Sequence, residues 1–159
     1  MDTLHDVPYD TQQARQELLD DIADAVEQLG IALTALGAAY GQLDEDSADR
    51  LEDSLFRPVQ AAYGRARRTH SSFANRVGLG TRDFAPPDSA GLPSQGVRGF
   101  LDRAVDAVEE ADRLLADLQD SMRPVEVGDP ELRAGLADVR AQLREVRSRA
   151  AAFMRTFGR

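Results

Sequence analysis

The sequence predicts an all-α protein: an antiparallel, up-down-up-down four-helix bundle built from two long helical hairpins. Apolar residues recur at alternating steps of three and four, which is the spacing of a coiled-coil-like seam. Apolar positions also mirror one another, so that paired residue numbers add to 91 in the first half of the chain and to 254 in the second. Two antiparallel helices joined by a tight turn show such a constant sum when their seams meet layer by layer. The pairs include Tyr40 with Leu51, Leu36 with Leu55, Leu18 with Phe73, Met122 with Leu132, Leu118 with Leu136, and Val108 with Val146.

Local signals divide the chain into an N-terminal arm, residues 1–9, and one bundle domain, residues 10–157. Asp46 or Ser47 is expected to cap the second helix, and Gly78 to end it. Ser94 is expected to cap the third helix, which Pro124 stops, and Asp129 followed by Pro130 is a strong start for the fourth. The predicted helices span about 10–43, 47–77, 95–123 and 129–157.

The segment 78–94 is a loop by composition, and its 17 residues are long for a connection within a bundle, where 2 to 8 are usual. We expect it to fold back over one end of the bundle and to bury Phe84 and Leu92. Val7 and Tyr9 of the arm are expected to share that end, which the up-down-up-down order would form from Ala14, Val77, Val97 and Phe157.

Composition restricts the function. The chain has no cysteine, which excludes disulfides and thiolate chemistry, and its net charge of −9 argues against a nucleic-acid partner. No charged-then-apolar leader opens the sequence, and the longest uncharged run, residues 28–43, is too short and too polar to span a bilayer. We therefore expect a cytoplasmic protein without a membrane partner.

The charges are unevenly distributed. Residues 2–46 carry eleven acids and one base, whereas 47–77 carry six arginines against three acids. The mirror registers place Asp24 opposite Arg67 and Glu110 opposite Arg144, so we interpret these charges as partners within the fold.

Three features are candidates for an interaction surface or a pocket. Pro58 lies well inside the second helix and is expected to kink it, which opens the seam locally. Gly30, Thr34, Gly37 and Gly41 form a small-residue stripe on the first helix, and helical glycine is costly unless another backbone comes close. That backbone belongs either to this bundle or to a second copy of the chain.

The third feature is His70. We expect it at the boundary between the buried and the exposed face of its helix, with one side accessible, opposite Asp21 and close to Arg67. The stretch from His70 to Gly78 resembles the motif of histidine phosphotransfer domains, although Phe73 and Ala74 stand where that family has lysine and glycine. The resemblance implies phosphotransfer through His70, and it covers less than a tenth of the chain.

No catalytic or metal-binding constellation emerges from the sequence. A carboxylate-bridged metal site needs Glu-x-x-His on two helices, and no glutamate stands three residues before His70. Two acidic clusters, around Asp20 and around Glu109, suggest a metal-dependent hydrolase only weakly, because they alternate with arginines. We therefore expect a non-catalytic protein without cofactor or metal, acting by protein–protein interaction or as a scaffold, with a homodimer as one form. The alternative is a small-molecule-binding bundle or helical enzyme that uses a pocket near Pro58.

Overall fold

The computed structural model describes the backbone of residues 3–157 and the side chains of residues 10–157. Within this part of the chain helices are the only regular secondary structure and no strand is present, as the sequence predicts. Its helices are α1 (Thr3–Tyr40), α2 (Glu45–Leu51), α3 (Arg57–Val77), α4 (Gly96–Asp120), α5 (Arg123–Glu126) and α6 (Pro130–Phe157). A π-helical turn (Glu52–Phe56) joins α2 to α3, and a 3-10 turn (Pro93–Gln95) precedes α4.

The first helix begins earlier than the sequence suggests. Helical backbone already starts at Thr3, so it runs through most of the predicted arm. The expected contacts of Val7 and Tyr9 lie outside the described side chains. The helix ends at Tyr40, and the turn that follows leads to Asp44, whose carboxylate accepts a 2.8 Å hydrogen bond from the backbone N–H of Ser47. Asp44, rather than Asp46 or Ser47, therefore caps the second helix.

The predicted second helix is continuous from α2 through the π-helical turn to α3. Pro58 has no N–H and its ring crowds the carbonyl four residues earlier, which an ordinary α-helix cannot accommodate without distortion. The chain takes up this mismatch in the turn before Pro58, where the N–H of Arg57 donates to the carbonyl of Glu52. Gly78 then ends α3 in the left-handed conformation, with φ of 74°, as expected.

In the second half, Asp129 caps α6 as predicted, accepting a 2.8 Å hydrogen bond from the N–H of Leu132. The third helix starts differently, because Ser94 lies in the 3-10 turn and α4 begins at Gly96 without a side-chain cap. It ends at Asp120, and Met122 adopts a φ of 64° before the short helix α5.

The order of the helices corrects the up-down-up-down expectation. The amide of Gln42 donates to the carbonyl of Pro93, so α4 begins at the end of the molecule where α1 finishes. At the opposite end, Arg123 pairs with Asp21 at 2.9 Å. Since α4 thus runs in the same direction as α3, the order is up-down-down-up, and the long segment 78–94 is a crossover rather than a hairpin turn.

With this order, the four long helices follow one another around the bundle as α1, α3, α6 and α4. Each neighbouring pair is antiparallel: Arg76 of α3 pairs with Asp129 of the turn before α6, and Arg140 of α6 pairs with Asp112 of α4. The most extensive contact joins α1 to α4, two helices that are not consecutive in the chain. Both helices bury several small residues, and small side chains permit close packing of helices. These residues are Ala23, Ala32, Ala35 and Ala39 on α1 and Ala104, Ala107 and Ala111 on α4.

The core agrees with the predicted seams. The inner positions of both hairpins are buried, whereas two outer members, Tyr40 and Met122, are 43% and 50% exposed. The expectation for the loop holds only in part: Phe84 packs against the core, but Leu92 is 72% exposed. Val97 and Phe157 cannot cover the end at Ala14, because α4 starts and α6 finishes at the other end of the bundle.

One helix, from Asp10 to Tyr40, is long and apolar enough to cross a membrane by length and composition alone. In the bundle, 61% of its most apolar window is buried against the other helices and the crossover. The helix thus meets a compositional test that the core helix of a soluble protein also meets.

Candidate interaction surface

The small-residue stripe of α1 divides into two halves with different environments. Gly30 and Thr34 lie beneath the crossover, whereas Gly37 and Gly41 face open grooves. The spacing of the four residues predicts one continuous surface on α1, and the structure corrects that prediction.

The crossover runs along α1, and we call its residues 82–93 the strap. Its contacts ascend in order: Arg82 pairs with Glu27 at 2.8 Å, and the carbonyl of Pro87 accepts a 2.7 Å hydrogen bond from the hydroxyl of Thr34. Between them, a Cβ on Gly30 would lie 3.3 Å from the Cα of Pro86. The backbone that approaches Gly30 therefore belongs to the strap, and not to a helix of the bundle or to a second copy.

The other half of the stripe is uncovered. A Cβ added to Gly37 would meet no atom within 4 Å, although glycine costs up to about 1 kcal/mol relative to alanine in a helix. Beside Gly37, the rings of Tyr40 and Phe56 and the side chain of Glu52 line an open groove of about 210 Å³. We call the surface formed by Gly37, Tyr40, Gly41, Glu52 and Phe56 the Gly37 face.

The Gly37 face adjoins the π-helical turn, since Glu52 and Phe56 are the first and last residues of that turn. Single π-helical turns inside α-helices are frequent at functional sites. On its other flank, Gly37 and Gly41 border a second open groove of about 520 Å³ toward the end of the strap. The glycine-bearing ridge of α1 thus stands between two grooves.

Pro58 does not open an internal ligand pocket. The cavity between the helices that Leu55 and Val59 line, among other apolar side chains, holds about 10 Å³. Ligand pockets usually have about 300–1,000 Å³, and this space is no larger than one water molecule requires. The predicted opening of the seam is therefore wrong for the interior, and the π-helical turn changes the outer surface instead.

His70 is not a boundary residue. Its side chain is only 1% exposed, and its ring packs edge-on against Phe84 of the strap, with 5.2 Å between the ring centroids. Neither ring nitrogen has a hydrogen-bond partner, and the expected partner, Asp21, binds Arg123. Burial lowers the pKa of His70 below its ordinary 6.5, and the charge of Arg82 lowers it further, while Asp20 acts in the opposite direction.

Burial also removes the geometry that phosphotransfer needs. A phosphoryl group must reach a ring nitrogen from solvent, and both nitrogens of His70 lie beneath Phe84. The resemblance between residues 70–78 and phosphotransfer domains therefore extends to sequence only.

The charges pair differently from the mirror registers. Arg67 lies over the ring of Tyr63, with 5.3 Å from its Cζ to the ring centroid, instead of binding Asp24. Asp24 has a raised pKa because of burial and of the neighbouring charges of Glu27 and Asp21. Arg65 binds Asp138 of α6, and no carboxylate contacts Arg144 within the described residues. A register fixes the height of a residue along the bundle but not the direction of its side chain.

One structural residue escapes the sequence analysis. Asp112 of α4 is only 6% exposed, and its two carboxylate oxygens bind Arg140 and Arg147 of α6, both at 3.0 Å. Buried carboxylates of this kind require paired donors. The signal in the sequence is its position next to the seam residue Ala111, opposite a helix rich in arginine.

Among residues 10–157, no group of three or more histidine, aspartate or glutamate side chains is arranged to hold a metal ion. The acidic cluster around Glu109 is partly engaged, since Glu110 binds Arg113 on its own helix. Arginine holds the pKa of Glu110 below its ordinary value through this hydrogen bond.

Comparisons of the chain with protein family models, with curated proteins and with solved structures give no match.

Proposed function

We propose that this protein is a non-catalytic interaction module that associates with a second copy of itself through the Gly37 face. The observation that carries the proposal is the open space at Gly37, flanked by the exposed ring of Tyr40. A cytoplasmic location, without nucleic acid or membrane as partner, belongs to the same proposal.

Charge distribution favours this face for self-association. Two copies of a chain with a net charge of −9 repel each other, and the repulsion is weakest where the contact surface is uncharged. Residues 28–43, which include Gly37, Tyr40 and Gly41, form the longest uncharged run of the chain. The acid that belongs to the Gly37 face, Glu52, lies close to Arg57, with 3.9 Å between the charged atoms.

The shape of the face supports a two-fold contact. A glycine-bearing ridge permits close approach of a second helix backbone, and a two-fold dimer brings the same patch of both copies together. In that arrangement Tyr40 of each copy can enter a groove beside Gly37 of the other. Aromatic side chains that fill such grooves contribute strongly to association.

The alternative of a small-molecule site near Pro58 has weaker support. The groove of about 210 Å³ beside the π-helical turn is open and smaller than most ligand pockets. No observation on the described residues favours a helical enzyme or a histidine phosphotransfer reaction.

Sedimentation equilibrium tests the proposal. The wild-type protein is expected to form a dimer, and Gly37→Leu is expected to give a folded monomer, because leucine would fill the space at the ridge. Ala137→Leu, a change of the same kind at an exposed position of α6, is the matched control and should remain dimeric. A wild-type protein that stays monomeric at high concentration overturns the proposal, as does a dimer that Gly37→Leu leaves intact.

A further inference from the structure

A basic groove lies between α3 and the first residues of the strap. Arg67 and Arg68 of α3 and Arg82 of the strap line one open space of about 530 Å³. We propose that this groove binds a small, free phosphorylated molecule. The proposal does not depend on self-association through the Gly37 face.

Two of the three arginines are not engaged by acids of the protein. Within the described residues, neither Arg67 nor Arg68 has a carboxylate within ion-pair distance, although the chain has 28 acids and 19 arginines. Arg67 is held over the ring of Tyr63, and Nη1 of Arg68 lies 3.3 Å from the position that a Cβ on Gly64 would occupy. Gly64 thus leaves space on α3 for the guanidinium of Arg68.

The third arginine is fixed by the strap. Arg82 binds Glu27 at 2.8 Å, and its Cζ lies 5.3 Å from the ring centroid of Phe84. Since Glu27 balances the charge of Arg82, and Asp83 also borders the groove, the excess positive charge comes from Arg67 and Arg68.

The remaining polar groups suit a phosphate. Ser71, Ser72 and Thr81 contribute hydroxyl groups to the lining, and Asn75 contributes an amide. Guanidinium groups bind phosphate oxygens through paired hydrogen bonds, and hydroxyl and amide donors satisfy the remaining oxygens. Donors therefore predominate in the groove.

Size and charge favour a small free ligand over a polymer or a membrane. The volume lies within the range of about 300–1,000 Å³ that small-molecule sites occupy. Extended polyanions would also meet the acidic remainder of a chain with a net charge of −9, and their binding depends on many phosphate contacts.

Binding would be detectable at His70. The charge of Arg82 contributes to the low pKa of this buried histidine, and Asp20 of α1 contributes in the opposite direction. Since Arg82 lines the groove, an anion bound there adds negative charge near His70, so the pKa of His70 should rise when the groove is occupied.

Titration calorimetry with inorganic pyrophosphate at low ionic strength tests the proposal. Wild-type protein should bind one pyrophosphate per chain, and Arg67→Gln and Arg68→Gln should each weaken binding about tenfold, as expected for the loss of a charge-assisted contact. Arg144→Gln, which removes an exposed arginine of α6, is the matched control and should bind as the wild type does. Circular dichroism verifies that each variant is folded.

Proton NMR supplies a second measurement, because the chain has only two histidines and its imidazole signals are therefore few. Pyrophosphate should raise the pKa of His70 in the wild type and leave it unchanged in the variant that carries both Arg67→Gln and Arg68→Gln. Absence of binding to the wild type overturns the proposal, as does equal binding to that double variant. Binding to vesicles rich in phosphatidylserine without binding to pyrophosphate also overturns it, in favour of a membrane surface.

Discussion

At the scale of single residues, the strap explains why polar side chains are buried where the sequence suggests a surface. His70 and the hydroxyl of Tyr63 both lie beneath it without hydrogen-bond partners among the described residues. The heptad register places His70 beside the seam, and a bare bundle would leave one side of it in water. Burial comes from Phe84, which is distant in sequence, so helical periodicity carries no signal for it.

The lowered pKa of His70 makes stability depend on pH. The unfolded chain binds a proton to this histidine at a pKa near 6.5, whereas the folded protein binds it only at lower pH. The unfolded state therefore holds more protons in that interval. We expect the free energy of unfolding to be largest above pH 6.5 and to decrease as the pH falls toward the folded-state pKa.

Urea unfolding of the wild type and of His70→Leu at a series of pH values measures this dependence. In the variant, the free energy of unfolding should no longer decrease with falling pH in the interval above pH 4, near which carboxyl groups ordinarily titrate. Ion-paired carboxylates such as Asp129, whose pKa Arg76 lowers, act at more acidic pH in both proteins. Parallel pH profiles for the two proteins would show that His70 is not buried as described.

At the scale of the secondary-structure elements, the glycines inside helices lie in different environments. The strap crosses Gly30, Gly37 faces open space, and Gly135 of α6 packs against α3. A Cβ on Gly135 would lie against the hydroxyl of Thr69 and 2.8 Å from its Cγ2. Here glycine allows α3 and α6 to approach each other.

This difference predicts opposite effects for the same substitution. Gly135→Ala should destabilise the protein by about 1–3 kcal/mol, because the methyl group overpacks a tight helix contact. Gly37→Ala should stabilise it by up to about 1 kcal/mol, since alanine is the better helix former and meets no neighbour. Chemical denaturation of both variants at low protein concentration measures the two values. Equal effects of the same sign would contradict the assigned packing.

The four long helices, and the helix ends at Gly78 and at Asp129, are the part of the fold that the sequence predicts. Gly78 and Asp129 act locally, so their roles can be read from the residues next to them. The pairing of Asp112 with Arg140 and Arg147 could not be predicted in the same way. It depends on how α4 and α6 rotate about their axes, and the mirror register contains no information on that rotation.

At the scale of the whole molecule, both helix orders bury the same seams, because every neighbouring pair is antiparallel in either one. The mirror sums of 91 and 254 describe each hairpin separately and do not determine how the hairpins are joined. Loop length was the available signal. Residues 45–77 extend about 50 Å as a helix, and the 17 residues of 78–94 can reach about 55 Å when extended. The connection is thus long enough to return along the bundle.

The candidate surfaces follow from this crossover. The strap covers Gly30, Thr34 and His70, leaves the Gly37 face open, and brings Arg82 to the basic groove. An end-capping loop would have left the whole stripe and His70 accessible. Both proposals for binding therefore depend on the order of the helices.

The distance between Asp46 and Ser94 tests that order most directly. The chain has no native cysteine, so spin labels can be attached at two exposed positions through Asp46→Cys and Ser94→Cys. Pulsed electron paramagnetic resonance then measures the distance between the two labels. Because Gln42 contacts Pro93, the crossover predicts a short distance, on the order of 20 Å from the few residues of chain between each label and that contact. A distance of about 45 Å or more, the length of a 30-residue helix, would contradict the crossover and restore the up-down-up-down order.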